Sequence, residues 1–148
     1  MIKRWTAMLL CLIVVVSFSA CGSNNDKANA PEEGKINVSV TFDAIKEFVA
    51  AVGKDKVEIS TIIPAGTEPH DFEPKAQDLV GLGKARVFVY SGLGMEAWVD
   101  EAVSAANNKN LITVEASKGA DAIANTEPEE IEEHGQYDPH IWLSLKGA

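Results

Sequence analysis

Strand-type and helix-type hydrophobic patterns alternate along this chain, and the alternation limits its fold more than any other feature. Between residues 36 and 42 apolar side chains occupy every second position, which is typical of a strand with one buried face. Asp43 is then expected to cap a helix that Gly53 ends. The same order recurs, with further strands expected at 57–63, 87–90 and 111–114 and further helices at 75–84 and 95–107. This predicts an α/β fold with a four-stranded, mostly parallel sheet flanked by helices, because parallel strands need crossover connections.

The first 35 residues have the pattern of an export segment followed by a tether. Two basic residues precede a short apolar run, which ends in small residues just before Cys21. We therefore predict a signal peptide over residues 1–20, and a lipidated Cys21 with a flexible polar tether over residues 21–35. An ordinary secretory signal with an incidental cysteine is the alternative. The pattern predicts that the domain, residues 36–148, lies outside the cytoplasm and is lipid-anchored to a bacterial cell membrane.

The charge of the chain restricts its partners. The formal net charge is −9 at pH 7, which disfavours binding to nucleic acid and to anionic membrane surfaces. An acidic protein suits a cation as its ligand. Because no cysteine follows Cys21, no disulfide is expected within the exported chain.

Two histidines occupy short segments whose backbone is stiffened by proline. His70 follows Pro69, and His140 follows Pro139. Proline fixes its own φ and biases the residue before it away from helix, so each ring is expected on a pre-shaped loop. Two imidazoles can share one metal ion, and both histidines are therefore candidate metal ligands. The alternatives are a surface histidine for His70 and a buried structural histidine for His140.

The predicted topology gives His70 a position suited to ligand binding. In open α/β sheets, ligands bind beyond the carboxyl ends of the strands. The loop that carries His70 follows the second predicted strand, and the turn at 91–94 follows the third. Both are therefore expected at the same edge of the sheet.

Other polar residues are candidates for supporting roles. A ligand histidine needs a partner for its second ring nitrogen, and a nearby carboxylate can supply it. The acidic stretch at 116–136 contains a further histidine and is expected to be an exposed loop. The candidates for supporting the ligands or for collecting metal weakly are Glu68, Asp71, Glu73 and His134.

Three segments in the same order resemble one known family. They are similar to segments of the periplasmic or surface solute-binding proteins of zinc and manganese ABC transporters, and they span residues 64–74, 91–98 and 138–144. The resemblance implies two α/β lobes joined by a long rigid helix, with the metal between the lobes. It implies that residues 36–148 form the N-terminal lobe and that His70 and His140 are its metal ligands. The family takes its other ligands from a C-terminal lobe, which this chain is expected to lack, as a truncated chain would.

The resemblance also implies a function. The protein is expected to be the metal-binding component of an ABC importer, which captures zinc, or alternatively manganese, and delivers it to the membrane permease. The acidic stretch with His134 is similar to the histidine- and acid-rich loop of the zinc members, which favours zinc. No HExxH helix or clearly placed general base is present in the sequence, so no catalysis is predicted. The alternatives are a metal-binding surface adhesin or buffer, a non-functional fragment and a metal-dependent hydrolase.

Overall fold

The structure is a computed structural model that describes residues 34–144. These residues all belong to the unit Pro31–Ala148. The predicted signal peptide, the predicted lipidation at Cys21 and most of the predicted tether lie outside the described residues. Between residues 34 and 144, no helix has the length and apolar character needed to span a membrane.

The sheet has four strands, and every pair of neighbouring strands is parallel. The strands are β1 (Ile36–Val40), β2 (Val57–Thr61), β3 (Val87–Tyr90) and β4 (Ile112–Glu115), and they lie in the order β2-β1-β3-β4. In this register Val38 is aligned with Ile59 of β2 and with Val87 of β3. The predicted α/β fold with a parallel sheet is therefore confirmed, and the carboxyl ends of all four strands meet at one edge.

Within residues 34–144, three α-helices accompany the sheet. They are α1 (Asp43–Gly53), α2 (Val99–Ala106) and α3 (Pro128–His134), and short 3-10 helices form at Lys54–Lys56 and Ile141–Leu143. The first two helices were predicted, although α2 begins four residues later than expected, after a bend at residue 95 and a turn at 97–98. Asp43, expected to cap α1, is instead its first residue, and no side chain caps this helix. The third lies in the acidic stretch that was predicted to be a loop.

The prediction of a helix at 75–84 is wrong. Residues 76–84 form consecutive turns instead, closed by bonds between residues three apart. The Leu82 N–H donates to the Leu79 carbonyl at 3.1 Å, and the Lys84 N–H donates to the Gly81 carbonyl at 3.0 Å. Glycine disfavours a helix interior by about 1 kcal/mol relative to alanine, and this stretch contains two glycines. A Cβ on Gly81 would also lie 3.5 Å from Ser39 Oγ, so the backbone passes close over the sheet.

The core divides into two clusters because successive residues of a strand face opposite sides of the sheet. The cluster that includes α1 has as its buried members Val38, Val40, Phe42, Ile45, Ile63 and Met95. The cluster that includes α2 has as its buried members Ile62, Leu82, Phe88, Val99 and Ala102. Each face of the sheet is thus covered by one helix, which leaves the carboxyl edge for the loops that carry the histidines.

Candidate metal centre

The loop after β2 brings His70 to the carboxyl edge of the sheet. A turn at its start is closed by the Thr67 N–H, which donates to the Pro64 carbonyl at 3.1 Å. Phe72, two residues after the histidine, packs against both core clusters and anchors the loop. The His70 backbone N–H donates to Glu68 Oε1 at 3.5 Å, a long contact. The backbone of the loop is therefore held by these contacts, while the His70 ring stays partly exposed.

His140 is held by the residues on either side of it. Asp138 Oδ1 accepts from the His140 backbone N–H at 2.9 Å and lies 2.7 Å from the ring Nδ1. Trp142 packs edge-on against Phe42 with ring centroids 4.8 Å apart, while Pro139 is fully buried. Because Nδ1 is bound to the carboxylate, Nε2 of His140 is the nitrogen left for another partner.

Asp138 is a site residue that sequence reasoning missed. Its pKa is held below the ordinary value, first by the hydrogen bond from the His140 backbone N–H. It therefore stays ionised at neutral pH and favours the tautomer of His140 with a proton on Nδ1. The spacing of an aspartate two residues before a histidine was available as a signal, since Asp side chains often accept from the backbone two residues on.

The third histidine of the chain joins the other two. The His134 ring lies at the C-terminal end of α3, with its centroid 4.8 Å from that of His70 and 6.4 Å from that of His140. The centroids of His70 and His140 are 5.4 Å apart. The side chain of His134 is only 24% exposed, unlike the glutamates around it. The structure thus brings all three histidines of the sequence together.

The acids predicted to support His70 are placed less closely. Glu68 contacts its backbone, and the charges of Glu68 and Asp71 act to raise the pKa of His70. These effects are outweighed by burial and then by the neighbouring His134 and His140, so the pKa of His70 is lowered overall. Glu73 is exposed, and its supporting role stays a prediction.

The ring nitrogens of this cluster suit a metal ion chemically. His70 Nε2 and His134 Nδ1 are buried and have no hydrogen-bond partner among the described residues. Such orphaned buried atoms cost free energy unless a ligand satisfies them. A lowered pKa keeps His70 neutral, the form that binds metal. Between residues 34 and 144, no three His, Cys, Asp or Glu side chains are arranged around one point as a metal ion would need.

The turn after β3 is stabilised by the side chain of Glu96. The buried Glu96 carboxylate accepts the Ser91 N–H at 2.9 Å through Oε1 and the Gly92 N–H at 3.1 Å through Oε2. Burial raises the pKa of Glu96 above its ordinary value, although these hydrogen bonds oppose the shift. A Cβ on Gly94 would lie 3.6 Å from the His134 carbonyl oxygen, so the turn and the end of α3 touch. The turn therefore lies against the backbone at the C-terminal end of α3, the helix that carries His134.

A parallel α/β lobe with imidazoles at its carboxyl edge is the arrangement of a ligand-binding lobe. The family model described as zinc-uptake complex component A, periplasmic (ZnuA), matches residues 38–148, and the chain belongs to this family. The family of metal solute-binding proteins predicted from the three sequence segments is confirmed.

Individual relatives bind different metals according to their names. The chain is 35% identical to the high-affinity zinc uptake system protein ZnuA of Bacillus subtilis, with 97% of this chain and 48% of that protein covered. It is 31% identical to the manganese ABC transporter substrate-binding lipoprotein scaA of Streptococcus gordonii, with 99% and 47% covered. The chain therefore spans about half the length of these curated relatives, a share that agrees with a single lobe.

The fold is also similar to solved structures. Superposition on the crystal structure of Zn(II)-bound AdcA from Streptococcus pneumoniae gives a TM-score of 0.63 at 33% identity. The match covers 77% of this chain and 23% of that one.

Proposed function

We propose that this protein captures zinc outside the cytoplasm for an ABC importer, with His70 and His140 as ligands. The observation that carries the proposal is the convergence of the histidine rings at the carboxyl edge of the sheet, with His70 Nε2 buried and unpartnered. The Asp138 carboxylate on His140 Nδ1 is the kind of outer contact that orients metal-ligating histidines. Membership of the ZnuA family supports the same role.

Zinc is preferred to manganese on the chemistry of the donors. Neutral imidazole nitrogen suits Zn²⁺, whereas sites rich in carboxylate and carbonyl oxygen suit Mn²⁺. Three imidazole rings converge in the cluster. Of the carboxylates near them, Asp138 is bound to His140 Nδ1, Glu68 contacts the His70 backbone, and two on α3 lie 3.9 and 4.0 Å from His134 Nε2. Both zinc and manganese appear in the names of relatives, so the proposal of zinc rests on the donors of this chain.

Delivery to a membrane permease completes the proposed role. A protein that delivers a metal ion must bind the ion and then release it, and this role requires no catalysis. Lipidation at Cys21 would hold the domain near the permease, as the lipoprotein names of relatives suggest. An importer role predicts that a strain without this gene grows poorly only when zinc is scarce, and that the intact gene restores growth.

A competition titration tests the metal proposal. The purified chain is titrated with Zn²⁺ and, separately, with Mn²⁺ against a chelator of known affinity. We expect one zinc per chain, bound more tightly than manganese. Equal or tighter binding of manganese would contradict the choice of zinc, and no binding of either metal would contradict the proposed function.

Removing the carboxylate behind His140 is expected to weaken zinc binding. Loss of such an outer partner typically lowers metal affinity about 10–100-fold, and we expect a loss in this range for Asp138→Ala. Asp138→Asn keeps an acceptor oxygen and should lose less. The matched control is Asp121→Ala, at an exposed position. An unchanged zinc affinity in folded Asp138→Ala would show that the contact does not orient a ligand.

A further inference from the structure

His134 is held in place by the backbone on both sides of the acidic segment. Ala124 and Tyr137 form an antiparallel bridge. The Asn125 N–H donates to the Gln136 carbonyl at 3.0 Å, and the Asn125 side chain donates to the Gly135 carbonyl at 2.9 Å. Residues 126–134 therefore form a segment whose two ends are hydrogen-bonded to each other. We call these contacts between residues 123–125 and 135–138 the clamp. His134, the last residue of the segment, lies next to it.

The chain changes direction directly after His134, at the end of α3. Gly135 has φ +88°, a conformation that glycine adopts readily and other residues seldom adopt. The chain then returns towards residues 123–125, where the Asp138 N–H donates to the Ile123 carbonyl at 2.8 Å. The same short connection therefore positions both His134 and the carboxylate that holds His140.

Two of the three ring separations match a shared ion. Two imidazoles on one tetrahedral zinc have ring centres roughly 5 Å apart, since the Zn–N distance is about 2.0–2.1 Å. The observed separations are 4.8 Å for His70 with His134 and 5.4 Å for His70 with His140. The third separation, 6.4 Å between His134 and His140, is longer, so a shared ion requires these two rings to move closer together.

The two nitrogens of the His134 ring have different surroundings. Nε2 lies 4.0 Å from Glu130 Oε2 and 3.9 Å from Glu133 Oε2, both on the exposed side of α3. Nδ1 is buried and has no partner among the described residues. A ring that carries its proton on Nε2, towards the carboxylates, presents the lone pair of Nδ1 to the interior.

We propose that His134 supplies a third imidazole, through Nδ1, so that this lobe holds zinc with three nitrogen ligands. This inference rests on the proposed function, because it concerns the same ion. Three protein nitrogens and one open position form a complete but accessible zinc site. Glu130 and Glu133 lie 4.0 and 3.9 Å from the other ring nitrogen, beyond hydrogen-bond distance, so they act on the third ligand through their charge rather than by the close contact that Asp138 makes with His140.

The histidine side chains can be counted directly, because the chain contains only three. Long-range proton–nitrogen NMR spectra of the ¹⁵N-labelled full chain show each ring separately, and metal binding shifts the bound nitrogen. With one equivalent of Zn²⁺ we expect metal-bound nitrogens in all three rings, with Nδ1 bound in His134. Bound nitrogens only in His70 and His140 would overturn the third ligand while leaving the proposed function standing. No bound nitrogen in any ring would overturn both.

A variant provides a second measurement. His134→Gln is expected to lower zinc affinity at least about 10-fold, since even outer partners of ligands cost this much. Glu132→Gln on the same helix is the matched control and should bind zinc like the unaltered chain, because its carboxylate is exposed and not among those near the ring. An unchanged affinity in His134→Gln would overturn the proposal.

Discussion

Replacing His70 and His140 together with alanine is expected to lower the zinc affinity of the chain at least about 100-fold. Loss of a single outer partner costs about 10–100-fold, and two directly bound nitrogens contribute more than such a partner. The reason is geometric as well as chemical, because a lone His134 on an acidic helix cannot enclose an ion. Chelator competition measures the effect, with the unaltered chain titrated in parallel.

The matched controls separate ligand loss from unfolding. Near-ultraviolet circular dichroism of the double variant should keep the signal of the buried aromatic residues, since both histidines lie at the edge and outside the two core clusters. His134→Gln alone should bind zinc more tightly than the double variant. If the folded double variant binds zinc as tightly as the unaltered chain, the histidines are not the site.

Glu96→Ala is expected to cost about 2–6 kcal/mol in the free energy of unfolding. Its carboxylate satisfies the buried N–H groups of Ser91 and Gly92, and each buried donor left without a partner costs about 1–3 kcal/mol. Burial opposes ionisation of this carboxyl group, which raises its pKa, but the two hydrogen bonds require an acceptor at both oxygens. Urea denaturation of the metal-free chain measures the loss.

Two further variants define the cause of this destabilisation. Glu96→Gln retains one acceptor oxygen and should fall between the unaltered chain and Glu96→Ala. Glu101→Ala, at an exposed position in α2, should change the free energy of unfolding by less than about 0.5 kcal/mol. Equal stability of Glu96→Ala and Glu101→Ala would contradict the role assigned to the buried carboxylate.

The sheet was predictable because its evidence is local. Alternating apolar residues in β1 and the helical apolar pattern of α1 encode their own structure within about ten residues. The turns at 76–84 show where local evidence fails, since an apolar helical period is present there but two glycines disfavour a helix interior. In the acidic stretch, by contrast, a helix forms that was not predicted. The exposed glutamates of α3 give its sequence no clear apolar period.

The candidate site was predictable only in part for a related reason. His70 and His140 were identified because proline and neighbouring residues mark them locally. The approach of His134 depends on the clamp between residues 123–125 and 135–138, a pairing that leaves no periodic signal. Glu96 was likewise missed, because a glutamate in an apolar helical pattern gives no sign that two backbone N–H groups need its carboxylate.

The most direct test of the account is the position of the ion itself. Crystals of the zinc-loaded chain, measured with X-rays at the zinc absorption edge, locate zinc by anomalous scattering. The account predicts one strong peak at the carboxyl edge of the sheet, about 2.0–2.1 Å from a ring nitrogen of both His70 and His140. A peak found only among the exposed glutamates of α3, away from both of these rings, would contradict it.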